Sequence, residues 1–251
     1  SGLLLRGPLT VGGSATFDAN TQGLPSQVYA TNGSGVAIAG DLTVRGLPLA
    51  FYSGGADRMQ VTVGGSCHIT NGSNARITSG IAPGYPLQPG SELIVGHDLM
   101  IASNATLFLE SHPTNGGSPH ISARSVMVGA GGRIDADATG FGGGPGPTNS
   151  WGYGTGRSFK ACGGCHGGLG GIGQQGGTVG VVYGAPEAPL EPGSGGGSYA
   201  SYVGGRGGGL VRLAAAGTVT VDGAVSANGQ SLTTHAGAGA GGAIYITCGV
   251  L

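Results

Sequence analysis

Residues 207–229 read GGGLVRLAAAGTVTVDGAVSANG. A glycine run ends at Gly209, and apolar residues then alternate with small or polar ones: Val211 and Leu213, Val219 and Val221, Val225 and Ala227. The members of each pair are two residues apart, so they share one face of a strand. Only Ala, Gly, Asp and Thr separate the pairs, and Asn228-Gly229 closes the stretch. This predicts strand, corner, strand, corner, strand: one turn of a parallel β-coil. The same grammar gives Leu9/Val11 and Ala15/Phe17, Val36/Ile38 and Leu42/Val44, Val61/Val63 and Cys67/Ile69, and Leu93/Val95, Leu99/Ile101 and Leu107/Leu109. It continues through Ile121, Val126/Val128 and Ile134. Three such strands make a repeat of roughly 20 residues, within the range of solenoids. The corners are Gly-Asp, Gly-Ser and Ala-Gly, small and regular, which favours a stacked coil over the antiparallel sandwich or jelly roll that Asn-Gly turns would also serve.

Composition sharpens this. Glycine supplies 59 of 251 residues, against ~7% in ordinary proteins, and charged residues are 8% where ~25% is usual. Glycine in a helix interior costs ~1 kcal/mol relative to alanine, so a helical protein is excluded. Disorder is excluded for most of the chain, because 39% of residues are hydrophobic and they alternate. Collagen is excluded because glycine does not fall at every third position. The net charge of −1 and the lack of a basic patch point away from nucleic acid. No apolar run approaches the ~18 residues of a membrane span. Ser1 to Arg6 lacks the apolar core of a signal peptide, and Ala243 to Cys248 is a strand pattern with no closing element after it. Both ends are expected to be those of a processed chain or a piece of a longer one. The expected organisation is β-helix coils over 1–140, a Gly-rich insertion over 141–208 packed on them, and further coils over 209–251. Trp151, Tyr153, Phe159, Tyr183, Tyr199 and Tyr202 lie in the insertion, a density that predicts packed loops rather than a flexible linker. Glycine there would allow close backbone approach or positive φ.

Several residues carry chemistry. Cys162-Gly163-Gly164-Cys165-His166 has the spacing of a c-type haem attachment site, but the tract around it is almost all glycine and offers no apolar pocket. A thioredoxin-like role needs a βαβ context, and zinc needs two further ligands, with Cys67 and Cys248 not spaced as a pair. The favoured reading is a local Cys162–Cys165 disulfide, with Cys67 and Cys248 bonded to each other or to neighbouring subunits. The sequons at Asn32, Asn71 and Asn104 fall in or beside predicted corners, where an acceptor asparagine is exposed. Asp135 and Asp137, with Arg133 beside them, are the only close carboxylate pair. They are candidates for an acid–base pair or a calcium site, though solvent-facing positions flanking buried Ile134, Ala136 and Ala138 explain them more simply. Asp18, Asp41, Asp98 and Asp222 are expected at one corner position of successive coils, as turn residues. No Ser-His-Asp arrangement is present, and neither an enzymatic role nor a cofactor is expected.

The succession GGGLVRLAAAGTVTVDGAVSANG and GAGAGGAIYIT, with CGGCHGGLGG and LEPGSGGGSY upstream, resembles the glycine-rich β-helix repeats of very large secreted surface proteins. Similar repeats occur in flagellar hairs (mastigonemes) and other extracellular fibres. The likeness covers residues 120–251, and residues 1–120 share only the strand grammar. It implies an all-β, right-handed parallel β-helix with long ordered Gly-rich loops. It also implies an extracellular structural role, with copies of the chain or neighbouring segments as partners and covalent glycans on its surface. Cys162 and Cys165 depart from that pattern, which has small polar residues there. The competing readings are a carbohydrate-binding or carbohydrate-cleaving β-helix and an adhesin or ice-binding module, the threonine spacing being too irregular to favour ice.

Overall fold

A computed structural model describes residues 3–5, 8–18, 27–30, 35–46, 48–53, 58–82 and 84–251. In chain order the first strands are β1 (Leu3–Leu5), β2 (Leu9–Val11), β3 (Ala15–Asp18), β4 (Gln27–Ala30), β5 (Val36–Ile38), β6 (Leu42–Arg45) and β7 (Pro48–Ser53). There follow β8 (Met59–Val63), β9 (Cys67–Thr70), β10 (Asn74–Thr78), β11 (Ser91–Val95), β12 (Asp98–Ile101) and β13 (Thr106–Glu110). The last are β14 (Pro119–Ala123), β15 (Ser125–Val128), β16 (Arg133–Asp135), β17 (Leu210–Ala215), β18 (Val219–Val221), β19 (Ala224–Ser226) and β20 (Ala243–Thr247). Every third strand belongs to the same sheet. Sheet I has the order β2-β5-β8-β11-β14-β17-β20, sheet II has β18-β15-β12-β9-β6-β3, and sheet III has β1-β4-β7-β10-β13-β16-β19. All pairings between these strands are parallel. The chain is therefore an all-β parallel solenoid, and the antiparallel sandwich is excluded. Among the described residues no helix is long and apolar enough to cross a membrane.

The core follows from the alternation. In β12 Leu99 and Ile101 point inward and are fully buried, while Met100 lies outside. Register then stacks like upon like. Leu42, Cys67, Leu99, Val126 and Val219 form one column, and Val44, Ile69, Ile101 and Val128 form the next. Leu49, Ala75, Leu107 and Ile134 make a third. Burying each large aliphatic side chain contributes about 1.5–3 kcal/mol. Of the expected inward pair Val219/Val221, Val219 is buried but Val221 is 39% exposed, because β18 is the outermost strand of sheet II.

The corner between sheets I and II shows how glycine and short polar residues serve a coil. Ser14, Asp41, Ser66 and Asp98 occupy equivalent positions one turn apart. The Asp41 N–H donates to Ser14 Oγ (3.0 Å), the Ser66 N–H to Asp41 Oδ1 (2.7 Å) and the Asp98 N–H to Ser66 Oγ (3.4 Å). The side chains of Ser14, Asp41 and Ser66 thus each satisfy a backbone donor of the next turn, while the Asp98 carboxylate takes the Arg124 guanidinium. The expectation of one shared corner for four aspartates is corrected by this register. Only Asp41 and Asp98 belong to it. Asp18 lies within β3 and pairs with Arg45 of the next turn at 3.6 Å, and Asp222 sits at the other corner, its N–H on Val128 O.

Between β16 and β17 the chain makes no named strand. It forms a bundle of glycine-rich segments instead. Phe141 and Gly144 donate to Gly193 and Gly196, Gly193 and Gly196 donate to Gly208 and Gly205, and Gly207 and Gly204 donate to Phe141 and Gly144. The tract before β20 joins them: Gly205 and Gly208 donate to Gly237 and Ala240, and Gly237 and Ala240 donate to Gly197 and Ser194. Each partnership recurs every third residue, the period of a polyproline-II-type chain, which has three residues per turn and no internal hydrogen bonds. Intervening residues reach other neighbours, such as Gly195 to Tyr153 and Gly197 to Cys162. A side chain is excluded where these backbones meet. A Cβ at Gly143, Gly195, Gly207, Gly237 or Gly239 would overlap a neighbouring carbonyl. The sequence excluded collagen, and three chains wound with glycine at every third position are indeed not what forms. The three-residue period returns in the hydrogen bonds, not in the glycine spacing. The aromatics mostly lie around the bundle: Phe141 is buried against Tyr85, while Trp151, Tyr153 and Tyr202 are exposed.

Candidate functional site

The chemistry-bearing residues fall into three groups, and register decides what each does. On the outer face of sheet I, Gln60, Glu92, His120 and Arg212 sit in one row on β8, β11, β14 and β17. Glu92 takes an ion pair from Arg58, a hydrogen bond from Gln60 Nε2 at 2.9 Å and a contact from His120 Nδ1 at 3.8 Å. Burial pushes the Glu92 pKa up, but the hydrogen bonds and charge from Gln60 and Arg58 outweigh it and hold the carboxyl below its ordinary range. Burial, with the Arg212 charge, lowers the His120 pKa despite Glu92. The row holds one acid, one neutral imidazole and flanking cations, all engaged with each other along the axis.

Asp135 and Asp137 each accept a backbone N–H at a turn. β16 ends at Asp135, which Arg133 approaches at 3.6 Å and whose Oδ1 accepts the Asp137 N–H at 2.8 Å. Asp137 turns to the next coil, where its Oδ1 accepts the Asn228 N–H (2.6 Å) and Asn228 Nδ2 (3.1 Å). Burial raises its pKa, but these bonds, with Ser226 and Arg133, lower it more. Both carboxylates hold turns together, and among the described residues no group of three or more His, Cys, Asp or Glu is placed to bind a metal ion.

The Cys162–His166 segment lies inside the glycine bundle. Cys162 O accepts from Gly197, Gly163 donates to Gly171, Gly164 to Ala238 and Cys165 to Gly156. Four successive residues with four different neighbours describe an extended chain. Across three residues of such a chain the Cα atoms are about 9 Å apart, whereas a disulfide needs roughly 4.4–6.8 Å. The structure does not show the expected local disulfide, and Cys67, Cys162, Cys165 and Cys248 each stand as a free thiol in it. Nor does it show a bond between Cys67 and Cys248. Cys67 aligns with Leu99, Val126 and Val219 over three strand spacings, about 14 Å, and Cys248 belongs to the turn beyond, where Val250 pairs with Thr218. Haem attachment fails too, because both Cys162 and Cys165 have no exposed surface. His166 is buried, its Nδ1 3.0 Å from Gly241 O and its ring 4.8 Å from Tyr183. Burial pushes the Cys67 thiol up to about 12. A thiol reagent applied to the folded protein at neutral pH is expected to modify Cys248, the one half-buried cysteine, and to reach Cys67, Cys162 and Cys165 only after denaturant is added. Mass spectrometry of the labelled peptides checks this.

Of the three sequons, Asn32 lies outside the described residues. Asn71 and Asn104 are both exposed, with φ of 54° and 59°, at the corner between sheets II and III. The hydroxyl of the first of these sequons, Ser73 Oγ, is buried and donates to Val44 O at 3.1 Å. Thr106, the hydroxyl residue of the other, is half-buried. No protein-family description, curated protein or solved structure matches this chain.

Proposed function

We propose that this chain is an extracellular structural protein, a right-handed β-helical building block of a cell-surface filament or flagellar hair, with no catalytic role. The observation that carries this reading is where the charged side chains go. The ion pairs Arg45–Asp18, Arg58–Glu92, Arg76–Glu110 and Arg124–Asp98 each join one turn to the next. The chemistry of the outer faces serves axial cohesion. The right hand is that of nearly all parallel β crossovers. Sheets in constant register are suited to axial growth, because each turn of a solenoid pairs only with the turns above and below it. Copies of the chain or neighbouring segments are the partners, and N-linked glycans at Asn71 and Asn104 would project from one corner, leaving the other faces for lateral contact.

Electron microscopy with analytical ultracentrifugation of the full chain tests this. End-to-end assemblies that lengthen with concentration are the expected result. A monodisperse monomer at every concentration would overturn the proposal.

A further inference from the structure

The outer face of sheet III also carries a cleft, beside the Arg76–Glu110 pair that joins two turns. On β7, β10 and β13, Arg76 is in register with Ala50 and Phe108, and Thr78 with Tyr52 and Glu110. Strand neighbours lie about 4.8 Å apart, so residues from three turns form one surface. The small Ala50 stands where adjacent strands carry Arg76 and Phe108. The resulting cleft of about 460 Å³ is lined by Tyr52, Asn74, Arg76, Phe108 and Glu110.

Its walls are fixed in advance. The Arg76 guanidinium lies 4.7 Å from the Phe108 ring centre and 3.2 Å from Glu110 Oε2. Arg206 reaches out of the glycine bundle to Glu110 Oε1, also at 3.2 Å, and donates to Gly140 O at 3.4 Å. Exposed ion pairs contribute only ~0–1 kcal/mol each, so stability alone is a poor reason to bracket one carboxylate between two guanidinia. What the arrangement achieves is preorganisation, which lowers the ordering cost of binding. Tyr52, 39% exposed, offers a second ring to the same space.

We propose that this cleft binds a saccharide chain laid along the solenoid axis. A pyranose presents an apolar C–H face together with hydroxyls that both donate and accept. Phe108 and Tyr52 supply rings for the first. Asn74, Arg76 and Glu110 supply fixed donors and acceptors for the second. The strand spacing is close to the length of one pyranose residue, so side chains of successive turns can meet successive sugars. An apolar ligand would strip water from the charged liners without repaying it. Among the described lining residues Glu110 is the only carboxylate and both its oxygens are engaged, whereas glycoside hydrolysis takes a pair of acids, so the cleft is proposed to hold its ligand uncleaved. The inference is independent of whether copies assemble.

Isothermal titration of the full chain with a β-1,4-linked glucose tetrasaccharide and with a tetragalacturonate tests it. At least one is expected to bind once per chain, and Phe108→Leu and Tyr52→Ala are each expected to weaken binding about tenfold or more, as for a ring at the centre of a contact. Met127→Ala, on sheet II, should leave affinity unchanged, and circular dichroism should show all three variants folded. Failure of both saccharides to bind at millimolar concentration would overturn the proposal. So would affinity that survives both ring substitutions.

Discussion

Replacing Gly207 with alanine is expected to destabilise the glycine bundle by about 3 kcal/mol, whereas Gly168→Ala is expected to stay within about 0.5 kcal/mol of the parent chain. The two residues differ in what a methyl group meets. At Gly207 it overlaps the carbonyl of Gly193 and crowds the Ser194 nitrogen, both backbone atoms with no rotamer to yield. At Gly168 nothing lies within 4 Å. Making room at Gly207 means parting the 193–197 and 204–208 segments. That separation stretches the bonds from Gly193 to Gly208 O (2.8 Å) and from Gly196 to Gly205 O (3.0 Å). Each buried amide left unpaired costs about 1–3 kcal/mol, on top of the overpacking cost of about 1–3 kcal/mol. Gly168→Ala loses nothing in the fold and removes freedom from the unfolded chain, so it is neutral or slightly stabilising. Chemical denaturation gives the size of the effect, and hydrogen exchange by mass spectrometry gives its place. Faster exchange over 193–209 and 237–242 is expected, with β8 to β13 unchanged. Equal behaviour of the two variants would mean that the segments do not pack through their backbones.

The solenoid was legible in the sequence and the bundle was not, for one physical reason. A coil announces itself through side chains: Leu93/Val95 and Leu99/Ile101 must point into a narrow interior, and that requirement writes a two-residue period into the chain. In the bundle the backbones are the contact surfaces. The residues that mark a contact are those with no side chain at all, and a glycine beside Gly193 O looks the same in a sequence as Gly168 in open space. The joining of 237–242 to 193–209 was equally hidden, because nothing but hydrogen bonds connects them.

The candidate sites divide along the same line. Asp135 and Asp137 stood out because they are only two residues apart, yet both brace the backbone. The cleft residues Tyr52, Arg76, Phe108 and Glu110 are on separate turns and form no local motif. The available signal was the 32-residue step from Arg76 to Phe108, which equals the step from Ala75 to Leu107 in the core and so marks them as neighbours on the outside. Arg206 had no such signal, since it enters from a tract without strand register. The burial of both thiols of the CxxCH segment was not legible either, because the glycines around them carry no apolar pattern.

The second large effect is expected at Leu99→Ala, about 2–5 kcal/mol. Leu99 has no exposed surface and stands in its column between Cys67 and Val126. Neither neighbour can fill the space: both are smaller than leucine, and each is held in place by strand pairs on either side, so the cavity persists and the full cost is felt. Met127→Ala, on the adjacent strand but 46% exposed, is expected to cost no more than about 0.5 kcal/mol. The damage should also be local. A solenoid turn touches only its neighbours, so its stability is a sum of nearest-neighbour contributions, and Leu99 belongs to the β11–β12–β13 turn. Faster amide exchange is therefore expected in β8 to β16 before the bundle opens, and iodoacetamide labelling of Cys67, which directly faces the new cavity, should rise with it. Uniform loss of protection across all three sheets would show instead that the whole chain unfolds as one cooperative unit, with the bundle clamping the turns together rather than riding on them.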